Sequence, residues 1–481
     1  MKEKIIADSI SSKPGLNRRK FISSSALAMA GLAQLFPKDN TLSEEWNNRA
    51  QVHEPARNIP VKDEVDVIVC GSGPAGIAAA ITAARAGASV RVFEMHGCLG
   101  GTWTAGLLTW IFDFDKPGIT REILRKLDER GARRGTDVNN FVYEPDEMKL
   151  LLEDMFVEAG IKLRLFTNVV SVKKEKNRLS TVITESKSGR EAWKAKIFID
   201  ATGDGDVGAL SGCKWDIGRP EDGLTQPLTM NALAVVRDVT QLQKYICFYG
   251  GDQSWRSEPN KNFKTEIRRA GIEPSYNVAK LFHVRDNIIL MMLNHEYGVK
   301  PYDANGMTAA TLHARREIYN ITRGLNSLGG VWDGLQVVAT AEQIGIREGR
   351  RIHGLYTITE DDIRKGAKFD DGIAKVTFEV DIHYLTKAGN KKEQYNKIPV
   401  QPYEIPLRSL IAKDVEGLMM AGRCISGDFI AHASYRVTGN AVAMGEAAGV
   451  TAAVASQSKR LPDEVNWKEA EAKLKEIGHR D

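Results

Sequence analysis

The chain has 481 residues, 42% of them hydrophobic, and a formal net charge of +4 at neutral pH. A single core usually stops growing below about 300 residues, so this length predicts two domains in addition to a leader. Six basic and two acidic residues lie in positions 1–36, so this segment alone accounts for the net charge. The remainder is close to neutral and has no Lys/Arg run interleaved with aromatic residues. The composition therefore argues against a nucleic-acid partner.

The first 58 residues are predicted to be an export leader and linker. Residues 17–22 contain paired arginines, and the small and apolar stretch 23–36 that follows has the length of a signal h-region. This stretch is too short to span a bilayer, and no later segment is apolar enough to do so. Paired arginines in this position resemble a twin-arginine signal, which predicts an exported, periplasmic protein without stable membrane insertion. An uncleaved, disordered tail is the alternative interpretation.

The five cysteines are too few and too scattered for a disulfide framework. None belongs to a C-x-x-C or C-x-x-x-x-C pair, so a redox dithiol, a zinc knuckle and an iron-sulfur cluster all lack ligands at workable spacing. We therefore predict no metal site. The cysteines are Cys70, Cys98, Cys213, Cys247 and Cys424.

A strand, a glycine motif, a helix and a second strand follow one another from residue 65. The β-branched run 65–70 is predicted to be a buried parallel strand. It is followed by G-x-G-x-x-G at positions 71–76, which opens an Ala-rich helix over 77–86. A second strand, 89–93, ends at Glu94, 23 positions after the first glycine. This order is typical of a dinucleotide-binding Rossmann fold.

Each residue of the motif has a physical task. Gly71 makes the tight turn, Gly73 lets the backbone approach a pyrophosphate, and Gly76 lets the helix pack on the strand. The helix N-terminus offers unpaired amides and a positive dipole end to the phosphates. The carboxylate of Glu94 is suited to accept the hydroxyls of an adenosine ribose.

Three later segments favour FAD over a nicotinamide dinucleotide. Residues 100–102 read Gly-Gly-Thr and follow the second strand closely, as the glycine pair does in flavoproteins of the glutathione-reductase-like type. Residues 197–206 read as a buried strand that ends in an acidic, glycine-containing turn. The third segment reads Gly-Leu-Met-Met-Ala-Gly-Arg at 417–423, and Gly-Asn-Ala at 439–441 then opens a helix over 442–454. Nicotinamide domains do not need the second and third segments, whereas a flavin stretched across the sheet does.

These segments resemble the FAD-dependent oxidoreductase family related to the flavin subunit of heterodisulfide reductase. The resemblance implies an α/β protein with a glutathione-reductase-like FAD/NAD(P)-binding Rossmann domain, an inserted, β-rich α+β substrate (cap) domain, and non-covalent FAD. The cysteine motifs that give heterodisulfide reductase its clusters are absent, so no iron-sulfur function is carried over. The matching stretches are 67–106, 119–130, 194–212, 222–230, 347–362 and 403–449.

The resemblance also implies a set of cofactor-binding residues. Val170 would meet the adenine through its backbone, Asp206 would contact the ribityl chain or pyrophosphate, and the helix amides near Gly439 would lie under the flavin pyrimidine ring. The full set is Gly71, Gly73, Pro74, Ala75, Gly76, Glu94, Gly100, Gly101, Thr102, Val170, Thr202, Gly203, Asp206, Gly422, Arg423, Gly439, Asn440 and Ala441.

The motifs also set the predicted domain boundaries. Residues 1–58 form the leader and linker, and residues 59–213 and 402–458 form the two parts of the FAD-binding domain. Residues 214–401 contain further β-rich segments and form the predicted cap domain. Residues 459–481 form a C-terminal tail or helix.

The candidates for catalysis lie near the last predicted helix. An imidazole titrates near neutral pH, so His432 is suited to take a proton from a substrate hydroxyl; a histidine that only orients the loop is the alternative. Arg436 would bind a carboxylate or oxyanion, or be structural. Cys424 would be a thiol nucleophile, although buried thiols are mostly small core residues.

An arginine cluster has two interpretations. The segment 341–352 is predicted to be helical, which places the guanidiniums of Arg347, Arg350 and Arg351 within little more than one turn. A solvated or interdomain ion-pair face is one interpretation, and a site for a substrate anion is the other.

The resulting hypothesis is an FAD-dependent oxidoreductase, a dehydrogenase or oxidase, that moves hydride from a small polar, carbohydrate-like substrate to N5 of FAD outside the cytoplasm. No second complete G-x-G-x-x-G domain is present for a nicotinamide, so the expected electron acceptor is oxygen, a quinone or a partner protein. Two alternatives stay open here: a redox-neutral flavin-dependent isomerase or lyase, and a non-catalytic FAD-holding electron-transfer component. Nothing in the sequence indicates an oligomeric state.

Overall fold

The chain divides into two units, Met1–Asn58 and Ile59–Asp481, and the fold given below is that of the second unit. The predicted export signal lies outside the residues that the structure describes. In the part of the chain that is described, no helix is long and apolar enough to cross a membrane. The structure is a computed structural model, and it describes residues 52–135, 137–249, 257–387 and 398–480.

Strands and helices are both distributed along the whole described chain. The strands are β1 (Val61–Cys70), β2 (Val90–Phe93), β3 (Trp110–Phe112), β4 (Arg133–Arg134), β5 (Asn140–Tyr143), β6 (Lys162–Arg164), β7 (Asn168–Glu175), β8 (Arg178–Ser186), β9 (Gly189–Asp200), β10 (Trp215–Asp216), β11 (Asn231–Val235), β12 (Lys280–Arg285), β13 (Ile288–Met292), β14 (Gln336–Thr340), β15 (Arg351–Ile352), β16 (Gly372–Val376), β17 (Tyr403–Pro406) and β18 (Leu418–Met420). The helices are α1 (Pro74–Arg85), α2 (Ile119–Glu129), α3 (Pro145–Glu158), α4 (Asp206–Leu210), α5 (Ser257–Arg269), α6 (Ala304–Ser327), α7 (Glu360–Lys365), α8 (Phe429–Tyr435), α9 (Thr438–Ser458) and α10 (Trp467–Glu476).

The largest sheet has seven strands in the order β6-β2-β1-β9-β8-β7, with β18 paired to the end of β9. Strand β1 runs parallel to β2 and β9, and β18 runs parallel to β9. In this register Cys70 lies opposite both Phe93 and Asp200, and Asp200 lies opposite Met420. The four strands therefore end at one level. The loops that follow them meet at the carboxyl edge of the sheet, which is where open α/β sheets bind ligands.

Helices α1 and α9 pack against each other and against this sheet. A Cβ atom added at Gly445 would lie 2.1 Å from the carbonyl oxygen of Ala75, and one added at Gly449 would lie 2.3 Å from that of Ala79. The two helices thus approach backbone to backbone, which only glycine permits. The N-terminus of α1 is thereby held beside a helix from the far end of the chain.

A second hydrophobic core surrounds a four-stranded antiparallel sheet in the order β12-β13-β11-β14. Helix α6 packs on it through Ala310, Ala314 and Ile318, whose spacing places them on one helix face. Most of this core lies within the predicted cap segment 214–401, and Leu107 and Val142 join it from outside that segment. However, the buried apolar side chains of residues 352–385 belong to the first core. Along this part of the chain, membership of the second core therefore ends before Ile352.

Candidate functional site

A cavity of about 1030 Å³ lies along the carboxyl edge of the large sheet. The glycine motif and the loops after β9 and β18 line one end of it. The other end is lined by residues from β11–β13 and by the segments 343–347 and 377–384. The cavity thus joins the predicted nucleotide site to the second core.

The glycine motif leaves open space where a phosphate needs it. A Cβ atom at Gly76 would lie 2.0 Å from the Gly71 carbonyl oxygen, so the turn into α1 is closed to side chains. A Cβ atom at Gly73 would meet nothing within 4 Å. Gly73 is the N-cap of α1 and supplies no side-chain cap, so the first helix amides remain available to a ligand on the cavity side. This arrangement fits the pyrophosphate of a dinucleotide.

Glu94 lies on the cavity wall, and only 5% of its surface is exposed. One carboxylate oxygen accepts hydrogen bonds from the backbone N–H and the hydroxyl of Ser72, at 2.8 and 2.7 Å. The other accepts from the backbone N–H of His96 at 2.9 Å. Glu94 therefore fixes the glycine turn to the end of β2, and the ribose contact that the sequence predicts would use its remaining lone pairs.

The structure brings most of the predicted cofactor residues together on the cavity wall. Val170 is not on that wall, because β7 begins at Asn168 and presents Asn168 and Val169 to the cavity instead. Both polar atoms of the Asn440 side chain are buried and have no hydrogen-bond partner among the described residues. The predicted residues on the wall are Gly71, Gly73, Pro74, Ala75, Glu94, Gly101, Thr102, Thr202, Gly203, Asp206, Gly422, Arg423 and Ala441. Those outside the wall are Gly76, Gly100, Val170, Gly439 and Asn440.

Two of the three predicted catalytic residues are not on the cavity wall. His432 is fully buried in α8, and burial, together with the charges of Arg351 and Arg436, lowers its pKa well below the usual value. Cys424 is also fully buried, and burial raises the pKa of its thiol well above the usual value. The geometry therefore gives neither residue a route to a substrate, and the interpretation as a small core residue fits Cys424 better.

Arg436, the third candidate, does line the cavity. Its Nη2 atom donates to the carboxylate and the backbone carbonyl of Asp381, at 2.9 and 3.0 Å, and lies 3.4 Å from Oε1 of Gln226. Burial lowers the pKa of Arg436, and Asp381 opposes that lowering. Its charge is thus already paired with one carboxylate.

A group of ionisable residues that the sequence did not single out occupies the same end of the cavity. Nε2 of His383 lies 3.2 Å from a carboxylate oxygen of Asp381. Burial, with the charge of Arg347, lowers the pKa of His383 to about 4, so its ring is neutral at neutral pH. Burial opposes the ionisation of Asp381, but His383 and the charges of Arg436 and Arg347 hold its pKa well below the usual range.

Aromatic rings complete this end of the cavity. The ring of His295 is stacked on Tyr276 at 3.9 Å between centroids. Phe112 is stacked on Phe378 at 4.9 Å and lies 4.7 Å from Trp110. All five residues line the cavity, so a flat or apolar group is well accommodated there.

The arginine cluster is not helical, contrary to the prediction for 341–352. Its last residue, Arg351, begins β15 and forms a buried ion pair with Glu348. Arg350 pairs with Asp206 at 2.8 Å. Arg347 instead lies on the cavity wall, where its Nη1 atom donates to a backbone carbonyl and a hydroxyl. Because the segment is not helical, the three guanidiniums do not share one helix face, and they have different partners.

The comparisons with known proteins begin with a family described as FAD dependent oxidoreductase, which matches residues 66–474. The thiamine thiazole synthase of Pyrococcus horikoshii is 29% identical to the chain over 174 residues, which cover 34% of this chain and 67% of that protein. The thiamine thiazole synthase of Methanococcus aeolicus is 32% identical over 151 residues, which cover 29% of this chain and 55% of that protein.

Two solved structures are among those that resemble the chain. A geranylgeranyl bacteriochlorophyll reductase-like protein from Thermoplasma acidophilum has a TM-score of 0.44 and 15% identity, covering 87% of this chain and 84% of that chain. The p-nitrophenol 4-monooxygenase of Pseudomonas putida has a TM-score of 0.45 and 11% identity, covering 87% of this chain and 91% of that chain. The match to the family model extends over most of the chain and includes both ends of the cavity: the chain belongs to the FAD-dependent oxidoreductase family, and it is an enzyme with FAD as its cofactor.

Proposed function

We propose that the enzyme removes hydride from a small polar substrate that binds at the aromatic and ionisable end of the cavity. The observation that carries this proposal is the continuity of the cavity from the glycine motif to His383. A bound flavin accepts hydride at its N5 atom, and the protein supplies position, electrostatics and a proton path.

The proton path is assigned to His383. Asp381 is ionised and accepts a hydrogen bond from Nε2, which fixes the ring tautomer and leaves the lone pair on Nδ1. Within the described residues Nδ1 makes no hydrogen bond, and the residue lines the cavity. A neutral imidazole held by a carboxylate is suited to take the proton of a substrate hydroxyl as hydride leaves the adjacent carbon.

The test is an anaerobic screen of the FAD-loaded protein with hydroxyl-bearing and amine-bearing metabolites, followed through the visible flavin absorbance. We expect one class of small molecule to bleach the flavin in a single exponential phase, and air or a quinone to restore the colour. Turnover that needs no acceptor would contradict the proposal and favour an isomerase or lyase. Reduction by a partner protein alone would favour an electron-transfer component.

We also propose that the protein acts outside the cytoplasm. The support is the pair Arg18 and Arg19 ahead of the small and apolar stretch 23–36. Replacing both arginines with lysine is expected to retain the protein in the cytoplasm, as measured by immunoblotting of bacterial cell fractions. Lys13→Gln, which removes one charge outside the pair, serves as the control. If the unaltered protein, the double lysine variant and Lys13→Gln were distributed in the same way among the cell fractions, export by this route would be contradicted.

The fit of FAD to the glycine motif gives a prediction at Gly73. Gly73 has φ −66° and ψ −177°, a conformation that alanine adopts without strain. Gly73→Ala is therefore expected to leave the melting temperature of the apoprotein unchanged. Its methyl group would crowd the pyrophosphate at a cost of about 1–3 kcal/mol, which weakens FAD binding about 10- to 100-fold in a fluorescence titration.

Gly76→Ala is the contrasting variant in the same turn. Its methyl group would meet the backbone of Gly71 rather than open space, so we expect loss of the folded protein. If Gly73→Ala bound FAD as tightly as the unaltered protein, the pyrophosphate would not lie at this turn.

A further inference from the structure

The hydrogen bonds of Arg347 leave one edge of its guanidinium free. Both bonds of Arg347 come from Nη1, to the Pro227 carbonyl at 2.6 Å and to the Thr229 hydroxyl at 2.8 Å. These two bonds use both hydrogens of Nη1. The edge formed by Nε and Nη2 makes no hydrogen bond to the residues that the structure describes, and Arg347 lines the cavity. That edge is the one with which arginine binds a carboxylate through two parallel hydrogen bonds.

The carboxylates near Arg347 are already occupied. Glu348, the next residue, pairs with Arg351, and Asp381 pairs with Arg436 and His383. In the described part of the chain, Arg347 itself has no ion pair. Burial lowers the pKa of Arg347 to about 10, so it keeps its charge at neutral pH. A cation held away from bulk water in this way is stabilised by a bound anion.

The cluster formed by Arg347, Arg436, Asp381, His295 and His383 has a positive balance of charge. Arg347 and Arg436 each carry one positive charge, and Asp381 carries one negative charge. Burial lowers the pKa values of His295 and His383, so these two rings are neutral and do not change the balance. Lys280 and Glu379, which are of opposite formal charge, also line the cavity and leave the balance unchanged. A substrate with one negative charge would therefore neutralise this cluster.

The walls around Arg347 restrict the rest of the substrate. Tyr276 and His295 form a stacked pair, and Phe112 and Phe378 form another. Lys280 lies over the rings of Trp110 and Tyr276, so the aromatic wall itself is held in place. A flat or apolar body next to the carboxylate matches these surfaces better than a sugar ring covered with hydroxyls.

We propose that Arg347 binds the carboxylate of the substrate, and that the substrate is a small organic acid with a flat or apolar body. The proposal rests on the proposed function, because it names the class of molecule that the same site oxidises. It also assigns the two interpretations of the arginine cluster to different residues. Arg350 and Arg351 hold the fold through ion pairs, and Arg347 binds the anion.

The test measures binding without turnover. Benzoate, a flat carboxylate, and benzamide, its neutral counterpart, are titrated into the FAD-loaded full chain, and the change in the flavin spectrum gives each dissociation constant. We expect benzoate to bind and benzamide to bind much more weakly. Arg347→Met should weaken the binding of benzoate about 10- to 100-fold, which is the effect expected from the loss of a pair of charge-assisted hydrogen bonds. The binding of benzamide should be unchanged. Arg347→Lys keeps the positive charge but lacks the paired donors of the guanidinium. Its affinity for benzoate should lie between those of the unaltered protein and Arg347→Met.

Arg237→Met is the matched control. Arg237 is 72% exposed and pairs with Asp333, so its loss removes one positive charge from the surface but nothing from the cavity. Benzoate affinity should stay within about twofold of the unaltered protein, which is the scatter expected of a surface substitution. An equal loss of affinity in both methionine variants would mean that net charge, not Arg347, governs binding, and would overturn the proposal.

A second measurement uses the unaltered protein, in case Arg347→Met loses FAD or stability. Phenylglyoxal modifies accessible arginines, and mass spectrometry locates the adducts. Benzoate should protect Arg347 from modification, and benzamide should not. Protection by sodium sulfate but not by benzoate would identify a site for inorganic anions and overturn the proposal, as would no protection by either.

Failure of this inference and failure of the proposed function give different results. If benzoate binds through Arg347 but no metabolite bleaches the flavin, the anion site stands and the hydride reaction does not. If a neutral alcohol bleaches the flavin at the same rate in Arg347→Met as in the unaltered protein, the reaction stands and the anion site does not.

Discussion

His383→Ala is expected to slow anaerobic flavin reduction by the substrate about a hundredfold to ten-thousandfold, the usual contribution of a general base. FAD binding should be unchanged, because the hydrogen bonds and ring contacts of His383 are to Gln226, Asp381, Tyr276 and His295 and not to the glycine motif. Stopped-flow absorbance measures the rate. Imidazole added to the solution should restore part of it, which a purely structural role would not allow.

His353→Ala is the matched control for this variant. His353 also forms a pair with a carboxylate, Asp216, at 2.9 Å, but this pair lies outside the cavity wall. Flavin reduction should proceed at the normal rate. A normal rate in His383→Ala as well would remove His383 from the reaction.

The pKa of His383 gives the pH dependence its sign. Because burial and Arg347 lower that pKa to about 4, the ring is neutral above this value. The rate of flavin reduction should be level at neutral pH and fall only as the pH approaches 4. Between about 4 and 6.5 the unfolded chain binds a proton at this histidine that the native protein does not, so stability should rise with pH across this window. A midpoint near 6.5 in the rate profile would contradict the assignment.

Glu348→Ala is expected to lower the free energy of unfolding by about 3–5 kcal/mol, the usual cost of removing one partner from a buried ion pair. Glu348 is 0% exposed and Arg351 3% exposed at their side chains. The glutamate also accepts hydrogen bonds from the backbone N–H groups of Gly218 and Gln226, at 2.8 and 3.0 Å. Its loss leaves the buried Arg351 guanidinium without its counter-charge, although two backbone carbonyls still accept from it, and leaves two buried amides without an acceptor. Urea titration of the apoprotein, followed by far-ultraviolet circular dichroism, measures the change.

Glu129→Ala is the control for that experiment. Glu129 pairs with Arg125 one turn earlier in α2, but both side chains are more than half exposed. Exposed pairs of this kind contribute about 0.3–0.5 kcal/mol. An equal decrease in the free energy of unfolding in the two variants would mean that the ion pair of Glu348 is not shielded from water.

The cofactor end of the site could be predicted because its physical requirements are local. The strand, the turn and the helix at positions 65–86 each follow from neighbouring residues, and the register of β1, β9 and β18 then aligns their ends. The position of Val170 outside the cavity wall has a different kind of cause. A strand presents only part of its backbone to a ligand, and where β7 begins is decided by its pairing with β8.

The substrate end could not be predicted because its residues come from separated segments. His432 is close in sequence to the helix α9, yet α8 buries its ring among core residues. Asp381 is only two residues from His383, but the significance of His383 also depends on Arg347 and Arg436, which the fold alone brings close to it. The helix predicted over 341–352 is wrong for a related reason: Gly345 pairs with Thr229 and β15 pairs with β10, so the segment forms its backbone pairs with distant residues and not within itself.

The backbone contact between α1 and α9 has a consequence for how the enzyme matures. Helix α9 can take its place beside α1 only after the intervening chain has been synthesised, because Gly445 and Gly449 follow their contacts Ala75 and Ala79 by 370 positions (445 − 75 and 449 − 79). The same is true of β18, which completes the sheet edge at which the glycine motif ends. The glycine motif therefore cannot have its final surroundings while the first domain part emerges from the ribosome, and stable FAD binding is expected only once α9 has docked.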